Sequence, residues 1–189
     1  MVALNNHIIA YTDGSADNAK TKMGGYGIFL NFKNKEKKVS KKVKTKTSNN
    51  KMEIKAVTEV FNYIKSTNFP LVIVMDSDYV YNCATGNWKI KKNKKYWDKF
   101  ADNVENFKKQ GGKVKLFVVE SHISLQNSKK IDENFKKFKD KNRQEDLNYL
   151  KENSKLDLKA IYVEFLKGNS IADKEASAGL QNSHKRQIL

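Results

Sequence analysis

The stretch that most constrains the fold is residues 71–75, LVIVM, a short apolar run that follows Pro70. A strand whose side chains are all apolar is covered on both faces, which is typical of a central strand with helices on either side of the sheet. The run ends at a polar segment, Asp76-Ser77-Asp78. The sequence therefore predicts an α/β architecture built around this strand.

The segments on either side predict the rest of the sheet. The first third of the chain has β-prone or alternating patterns, whereas apolar residues recur at helical spacing after residue 50. The predicted strands are 7–13, 24–30, 37–47, 71–75 and 114–119, and the predicted helices are 50–65, 78–84 and 96–109. We expect a five-stranded mixed sheet, three antiparallel strands followed by parallel additions, flanked by helices.

The last third of the chain is highly charged. Residues 129–155 are expected to be helical, and residues 156–167 fit either a helix or a strand. Gly168-Asn169 is typical of one element ending and the next being capped. Without an internal repeat or a low-complexity linker, we expect a single domain, 1–189, with a helical insertion at about 123–167.

The amino-acid composition indicates more about the binding partners of the chain than about its fold. The formal net charge of +16 indicates a polyanionic partner, although a general bias toward lysine explains part of it. Cys83 is the only cysteine, so no disulfide forms within the chain and a reducing compartment fits. No apolar run reaches the roughly 18–20 residues that span a membrane, and we see no signal peptide.

Three acidic residues stand at the ends of predicted elements. Asp13 ends the first strand, Asp76 ends the central strand, and Glu53 lies near the start of the first helix. Each has a structural explanation alone: an Asx turn for the aspartates, and a capping box with Asn50 for Glu53. If the first and fourth strands are neighbours, the three carboxylates converge and repel each other unless cations neutralise them. Such a cluster favours Mg²⁺ or Mn²⁺ and, in a basic protein, phosphodiester chemistry.

Five segments share their order and spacing with one enzyme family. They are YTDGS (11–15), GGYGIFL (24–30), TSNNKMEIKAV (47–57), VIVMDSDYV (72–80) and GNSIADKEASAG (168–179). The DGS motif alone is weak evidence, but DGS followed by NNxME and a hydrophobic strand ending in DS is highly specific. On these motifs the chain resembles type 1 ribonuclease H.

The resemblance implies the ribonuclease H-like fold and an endonuclease that hydrolyses the RNA strand of RNA–DNA hybrids, leaving 5′-phosphate and 3′-hydroxyl ends. Four acids would hold two Mg²⁺ ions, with Mn²⁺ as a substitute, and Asp13, Glu53 and Asp76 match three of them. One rival is another nuclease of this fold, a 3′–5′ exonuclease or a resolvase-like enzyme, which the NNKME segment argues against. A second rival is a non-catalytic hybrid-binding module, which the presence of all the acids argues against.

The resemblance also implies contacts to the hybrid. Positions that match hybrid-contacting residues of the family are Gly14, Ser15, Asn18, Ser48, Asn49, Asn50 and Ser77. The 2′-hydroxyl is the group by which such contacts distinguish RNA from DNA. For Asn49 and Asn50, capping of the helix is the competing interpretation.

The fourth acid has two candidates. Continuing without a gap from VKLFVVESH (114–122) places Asp132 at the family position, whereas GNSIAD places Asp173 there. We favour Asp173, because Lys129 and Lys130 would oppose the helix dipole before Asp132. His122 matches a histidine that the family carries on a loop before the final helix, where it helps proton transfer or product release; a plain surface residue is the alternative.

The segment 88–97, WKIKKNKKYW, lies where some members of the family carry a basic handle that grips the DNA strand. The residues expected to contact nucleic acid are Trp88, Lys89, Lys91 and Lys92. Burial in the core is the competing interpretation for Trp88 and Trp97. We expect a monomer without a small-molecule cofactor and without membrane association, located in the cytoplasm, or in the nucleus if the source is eukaryotic or viral.

Overall fold

The five strands form one mixed sheet. In a computed structural model that describes residues 4–17, 19, 23–33 and 35–181, the strands are β1 (Ile8–Ala16), β2 (Gly24–Phe32), β3 (Lys35–Val43), β4 (Leu71–Met75) and β5 (Val114–Val118). Their order across the sheet is β3-β2-β1-β4-β5. β1, β2 and β3 pair antiparallel, and β4 and β5 are added in parallel. The predicted fold class is confirmed.

Helices cover both faces of the sheet. They are α1 (Asn49–Glu59), α2 (Asp78–Ala84), α3 (Lys94–Lys109), α4 (Ser128–Lys141), α5 (Gln144–Glu152) and α6 (Leu158–Gln181). A single 3-10 turn, Val60–Tyr63, extends α1 toward the loop before β4. Among the described residues, none of these helices combines the length and the apolar character needed to cross a membrane.

The central strand β4 divides the core into two halves. All five of its side chains are buried, as the continuous apolar run predicts. Val72 and Val74 belong to the half that is packed against α4, α5 and α6. Leu71, Ile73 and Met75 belong to the half that is packed against α1, α2 and α3. Alternate residues of the neighbouring strand β1 divide in the same way.

Small residues bring α6 close to the sheet. A Cβ atom added at Gly27 of β2 would lie 2.1 Å from the main-chain oxygen of Ala172, so only glycine allows this approach. Ala172 and Ala176 of α6 are completely buried on the contacting side. The small side chains on this side of α6 therefore allow the helix to lie close against β2.

One sequence interpretation is wrong: Gly168-Asn169 does not separate two elements, because α6 runs unbroken from Leu158 to Gln181. Gly168 is required for packing, since a Cβ there would lie 2.2 Å from the ring of Tyr11. Asn169 is buried and does not cap a helix. Residues 158–167, assigned above to an insertion, are therefore the first part of α6, and α4 and α5 make up the rest of that segment.

Candidate active site

Asp13 and Asp76 lie side by side at the end of the parallel pair. β1 and β4 pair in register as far as Thr12 and Met75, and the two aspartates are the next residues on each strand. Both continue the alternate positions whose side chains face α6. β1 does not end at Asp13, as the sequence predicted, because β2 continues to pair with it as far as Ala16.

Glu53 reaches the aspartates from α1, on the other side of the sheet. The helix lies directly against β1 at Gly14, where an added Cβ would be 2.2 Å from the main-chain nitrogen of Glu53. Carboxylate oxygens of Asp13, Glu53 and Asp76 all lie within 4.8 Å of one another. The convergence of the three acids, expected if the first and fourth strands are neighbours, is confirmed.

The three carboxyl groups are too close to be ionised together without a cation. Burial, then the charges of Asp76 and Asp173, raises the pKa of Asp13 to about 6. Burial and the charges of Asp13 and Asp76 raise the pKa of Glu53 well above its ordinary value. Burial also raises the pKa of Asp76.

The Oε2 atom of Glu53 is buried without a hydrogen-bond partner among the described residues. An unpartnered buried oxygen in an acidic cluster fits a hard divalent cation such as Mg²⁺.

The start of α1 differs from the predicted capping box. Ser48 is the N-cap residue, its side chain caps no amide, and Asn50 is exposed, so the capping interpretation of Asn50 and Glu53 is wrong. Asn49 instead joins the helix to the sheet, because its side-chain oxygen accepts a hydrogen bond from the main-chain N–H of Ala16 at 2.8 Å. This bond holds the start of α1 beside β1 and frees Asn50 toward solvent.

Asn169 is a site residue that sequence reasoning missed. Its side-chain amide donates a hydrogen bond to Oδ2 of Asp76 at 3.0 Å, and the residue is only 4% exposed. Its own amide oxygen is buried without a described partner. A polar residue one helical turn before Asp173 was the available signal, and the sequence interpretation used it as a cap instead.

Asp173 and His122 complete the edge of the cluster. Asp173 is one turn beyond Asn169 on α6, and its negative charge contributes to the raised pKa values of Asp13 and Asp76. Nδ1 of His122 lies 3.9 Å from Oδ2 of Asp173, in an exposed loop. Asp76, His122, Asn169 and Asp173 line one small cleft. Because α6 begins at Leu158, Asp173 lies in the interior of this helix and not in the first turn of a helix capped by Asn169.

Asp132 is engaged elsewhere. It is an exposed residue of α4 and forms an ion pair with Lys159 of α6. It is absent from the group of acids whose charges act on Asp13 and Asp76. Of the two candidates for a fourth acid, Asp173 is the one that faces the cluster.

Comparison with known proteins identifies the family. The model of the family described as RNase H matches residues 5–181, which is nearly the whole chain. This chain belongs to the ribonuclease H family. A ribonuclease H of Haemophilus influenzae (strain 86-028NP) is 29% identical over 164 residues, which cover 79% of this chain and 100% of that protein. A ribonuclease H of Clostridium botulinum (strain Hall) is 30% identical over 141 residues, covering 66% of this chain and 90% of that protein.

Solved structures support the same fold. LC11-RNase H1, isolated from compost and solved with an RNA/DNA hybrid, aligns with a TM-score of 0.53 and 19% identity over 65% of this chain and 91% of that chain. RNase H1 of Halobacterium salinarum aligns with a TM-score of 0.51 and 17% identity over 61% of this chain and 86% of that chain. The chain is thus a ribonuclease H by family and by fold, and its enzyme class is that of a nuclease.

The described positions matched to nucleic-acid contacts in ribonuclease H lie within five residues of Asp13, Glu53 or Asp76 in the sequence. Gly14 is buried, Ser15 and Ser48 are half-buried, and Asn49 and Asn50 are exposed. Ser77 has a structural task, because its hydroxyl accepts a hydrogen bond from the main-chain N–H of Val80 and caps α2. Asn18 lies outside the described residues.

The basic segment between α2 and α3 is exposed. Lys89, Lys91 and Lys92 are solvent-accessible, and Trp88 is 50% exposed. Trp97 is buried, with its indole N–H donating to the hydroxyl of Tyr79. The core interpretation is therefore right for Trp97 and wrong for Trp88, whose side chain is available for contact.

A lysine of α4 reaches the edge of the sheet where β4 and β5 end. Nζ of Lys141 donates to Oδ2 of Asp78 at 2.9 Å and to Oε1 of Glu120 at 2.6 Å. Glu120 follows β5 and lines the cleft that contains Asp76 and Asp173. No sequence signal distinguished Lys141 from the many other lysines of the chain, because the contact depends on how α4 packs.

Proposed function

We propose that this ribonuclease H is an endonuclease that hydrolyses the RNA strand of RNA–DNA hybrids and leaves 5′-phosphate and 3′-hydroxyl ends. The observation that supports the proposal most strongly is the cluster of Asp13, Glu53 and Asp76, whose oxygens lie within 4.8 Å of one another. In a family of nucleases, such a cluster beside a basic surface is suited to phosphodiester hydrolysis with divalent ions.

Two Mg²⁺ ions, for which Mn²⁺ would substitute, are the proposed cofactors. When bound, they supply a water activated for attack and stabilise the negative charge that develops on the leaving oxygen. Asp13, Glu53, Asp76 and Asp173 are the residues that would hold them, consistent with their mutual repulsion and with the buried, unpartnered oxygen of Glu53. Asn169 keeps the carboxylate of Asp76 in one orientation through its hydrogen bond.

The proposed role of His122 is to hold or move a proton beside Asp173. Its backbone has a φ of 54°, in the left-handed region that a non-glycine residue occupies at a cost of roughly 1–2 kcal/mol. A histidine kept at such a position, with Nδ1 3.9 Å from Asp173, is consistent with a role of its side chain. Imidazole is the side chain best suited to proton transfer near neutral pH.

The hybrid is the proposed substrate because the chain exposes two kinds of surface suited to its two strands. The exposed Asn50, with Ser48 and Asn49, lies at the start of α1 beside Glu53 and offers hydrogen-bonding groups to 2′-hydroxyls. The exposed lysines between α2 and α3, with Trp88, offer contacts to the backbone of the other strand. LC11-RNase H1, which has this fold, is bound to an RNA/DNA hybrid in its solved structure.

A panel of labelled substrates tests the proposal. The purified chain is incubated with an RNA–DNA hybrid, an RNA duplex, a DNA duplex and single-stranded RNA, each with Mg²⁺ or with EDTA. We expect internal cuts in the RNA strand of the hybrid alone, with 5′-phosphate ends, and none with EDTA. Trimming from the ends, cleavage of the DNA duplex, or equal cleavage of all four substrates would refute it.

A further inference from the structure

The helix α4 follows β5 in the chain and packs on the half of the core that contains α6. α4 is connected to the catalytic edge at its last residue, where Lys141 bonds to Asp78 and Glu120. The direction in which α4 leaves this edge is therefore fixed.

Two further lysines lie on the face of α4 that carries Lys141. Lys130, Lys137 and Lys141 are separated by seven and four residues, which at 3.6 residues per turn places them along one stripe of the helix. At a rise of 1.5 Å per residue, the stripe extends over roughly 16 Å from the catalytic edge. We call Lys130 and Lys137 the lysine track.

The charges around the track leave it available to a partner. Lys130 and Lys137 are exposed, and within the described parts of the chain neither forms an ion pair with a carboxylate. Glu133 is one turn from both, yet it too forms no ion pair within the described residues. By contrast, other charges of α4 are engaged: Asp132 pairs with Lys159, and Nζ of Lys139 lies 5.2 Å from the centre of the Phe135 ring.

The stability of α4 does not explain a lysine at position 130. The first turn of α4 contains no acidic residue, and a lysine there is unfavourable because its charge opposes the helix dipole. The fold therefore gains nothing locally from this charge. The same charge, next to the N-terminal end of a helix, is favourable for an anion that approaches from solvent.

We propose that the lysine track contacts the phosphate backbone of the nucleic acid as it leaves the catalytic centre. Lys141 anchors the helix, and Lys130 and Lys137 extend the binding surface beyond the acids and the segment between α2 and α3. The track recognises backbone charge and not sequence, because lysine binds phosphate as a point charge. The proposal rests on the proposed function in that it takes the RNA–DNA hybrid as the bound duplex.

The chain supplies a matched control for the test. Lys129 and Lys136 are exposed residues of the same helix with the same spacing of seven, displaced by about 100° around the axis from the track. The double variants Lys130→Gln/Lys137→Gln and Lys129→Gln/Lys136→Gln have equal charge and near-equal helix propensity. Thermal melting of both checks that α4 remains folded.

The measurement is the dissociation constant for a labelled hybrid in EDTA, as a function of salt concentration. The track variant is expected to bind roughly tenfold or more weakly than wild type at 0.1 M salt, with the slope of log K against log salt lower by about 2. The control variant is expected to change by less than about twofold. Shortening the hybrid by about five base pairs, the length of the stripe, should reduce the difference between the two variants.

Equal slopes and equal affinities for the two double variants would overturn the proposal. Hybrid cleavage by the wild-type chain with Mg²⁺, scored in parallel, separates this result from a failure of the proposed function. If the track variant binds more weakly than the control variant but the wild-type protein never cleaves the hybrid, the proposed function is refuted and the lysine track is retained. If the wild-type protein cleaves the hybrid and both double variants bind it with equal affinity, the proposed function is retained and the lysine track is refuted.

Discussion

The side-chain amide of Asn169 donates a hydrogen bond to the carboxylate of Asp76 at 3.0 Å, and the pair connects α6 to the end of β4. The bond is shielded from water, because Asn169 is only 4% exposed. It restricts the rotamer of the Asp76 carboxylate. Asn169 is therefore a positioning residue that acts through Asp76.

Removing this amide should weaken catalysis while the fold persists. We expect Asn169→Ala to lower kcat by about 10- to 100-fold and to raise the Mg²⁺ concentration for half-maximal cleavage, since partners that orient metal-ligating groups have effects of this size. Asn134→Ala is the control, because Asn134 is also buried but donates to the main-chain oxygen of Lys130. Unchanged Mg²⁺ dependence in Asn169→Ala would contradict a positioning role.

The fourth acid can be assigned by one comparison. We expect Asp173→Asn to reduce hybrid cleavage more than about a hundredfold, because it removes a charge that faces Asp13 and Asp76. Asp132→Asn breaks an exposed ion pair with Lys159, worth about 0–1 kcal/mol, and should cut normally. Initial rates with saturating hybrid decide the matter, and full activity in Asp173→Asn would show that the assignment is wrong.

Much of the fold could be predicted because its strands have distinct patterns. The run at 71–75 is β4 residue for residue, and the change from strand to helical spacing near residue 50 marks α1. The end of β1 could not be predicted, because β2 pairs with it beyond Asp13. The continuity of α6 could not be predicted either, because Gly168 followed by Asn169 is the usual pattern of a helix end and a new N-cap. In the structure, Gly168 instead allows contact with Tyr11, and Asn169 bonds to Asp76.

The site was predictable where local motifs carry it. Asp13, Glu53 and Asp76 belong to short motifs with fixed spacing, and the parallel pairing of β1 with β4 brings them together. Asn169 and Lys141 depend on how α6 and α4 pack on the sheet, which no local pattern encodes. Long-range contacts of single side chains were for this reason the part that sequence reasoning missed.

The closeness of α1 and β1 depends on Gly14. A Cβ at this position would lie 2.2 Å from the nitrogen of Glu53 and 2.3 Å from the main-chain carbon of Met52, so the helix must move. We expect Gly14→Ala to lower the free energy of unfolding by about 1–3 kcal/mol, as overpacking does, and to displace Glu53 from the aspartates. Thermal melting and cleavage rates measure the two effects, and a variant with wild-type stability and activity would contradict the close contact.

The stability of the metal-free protein should depend on pH through Asp13. Its pKa rises from 3.8 to about 6 on folding, so the folded state binds the proton more tightly than the unfolded state. Stability is then higher below about pH 4 and falls as the pH rises through 6, by roughly 3 kcal/mol from this group. In EDTA at pH 7.5, Asp13→Asn should therefore melt several degrees above wild type.

Mg²⁺ should remove this penalty in the wild-type protein, since a bound cation favours the ionised carboxylates. The rise in melting temperature on adding Mg²⁺ is expected to be larger at pH 7.5 than at pH 5. A rise that is the same at both pH values, or a melting temperature of Asp13→Asn in EDTA below that of wild type, would contradict the mutual repulsion of the acids.

The cleavage rate of Glu53→Gln tests the central claim most directly. Glu59→Gln is its control, because Glu59 lies on the same helix but contacts Lys55, Lys99 and Asn62 and none of the three acids of the cluster. With Mg²⁺ and a labelled hybrid, we expect Glu53→Gln to fold and to bind the hybrid but to cut its RNA strand more than about a thousandfold more slowly, and Glu59→Gln to cut normally. If Glu53→Gln cleaves the hybrid at the wild-type rate, the cluster of Asp13, Glu53 and Asp76 is not the catalytic centre.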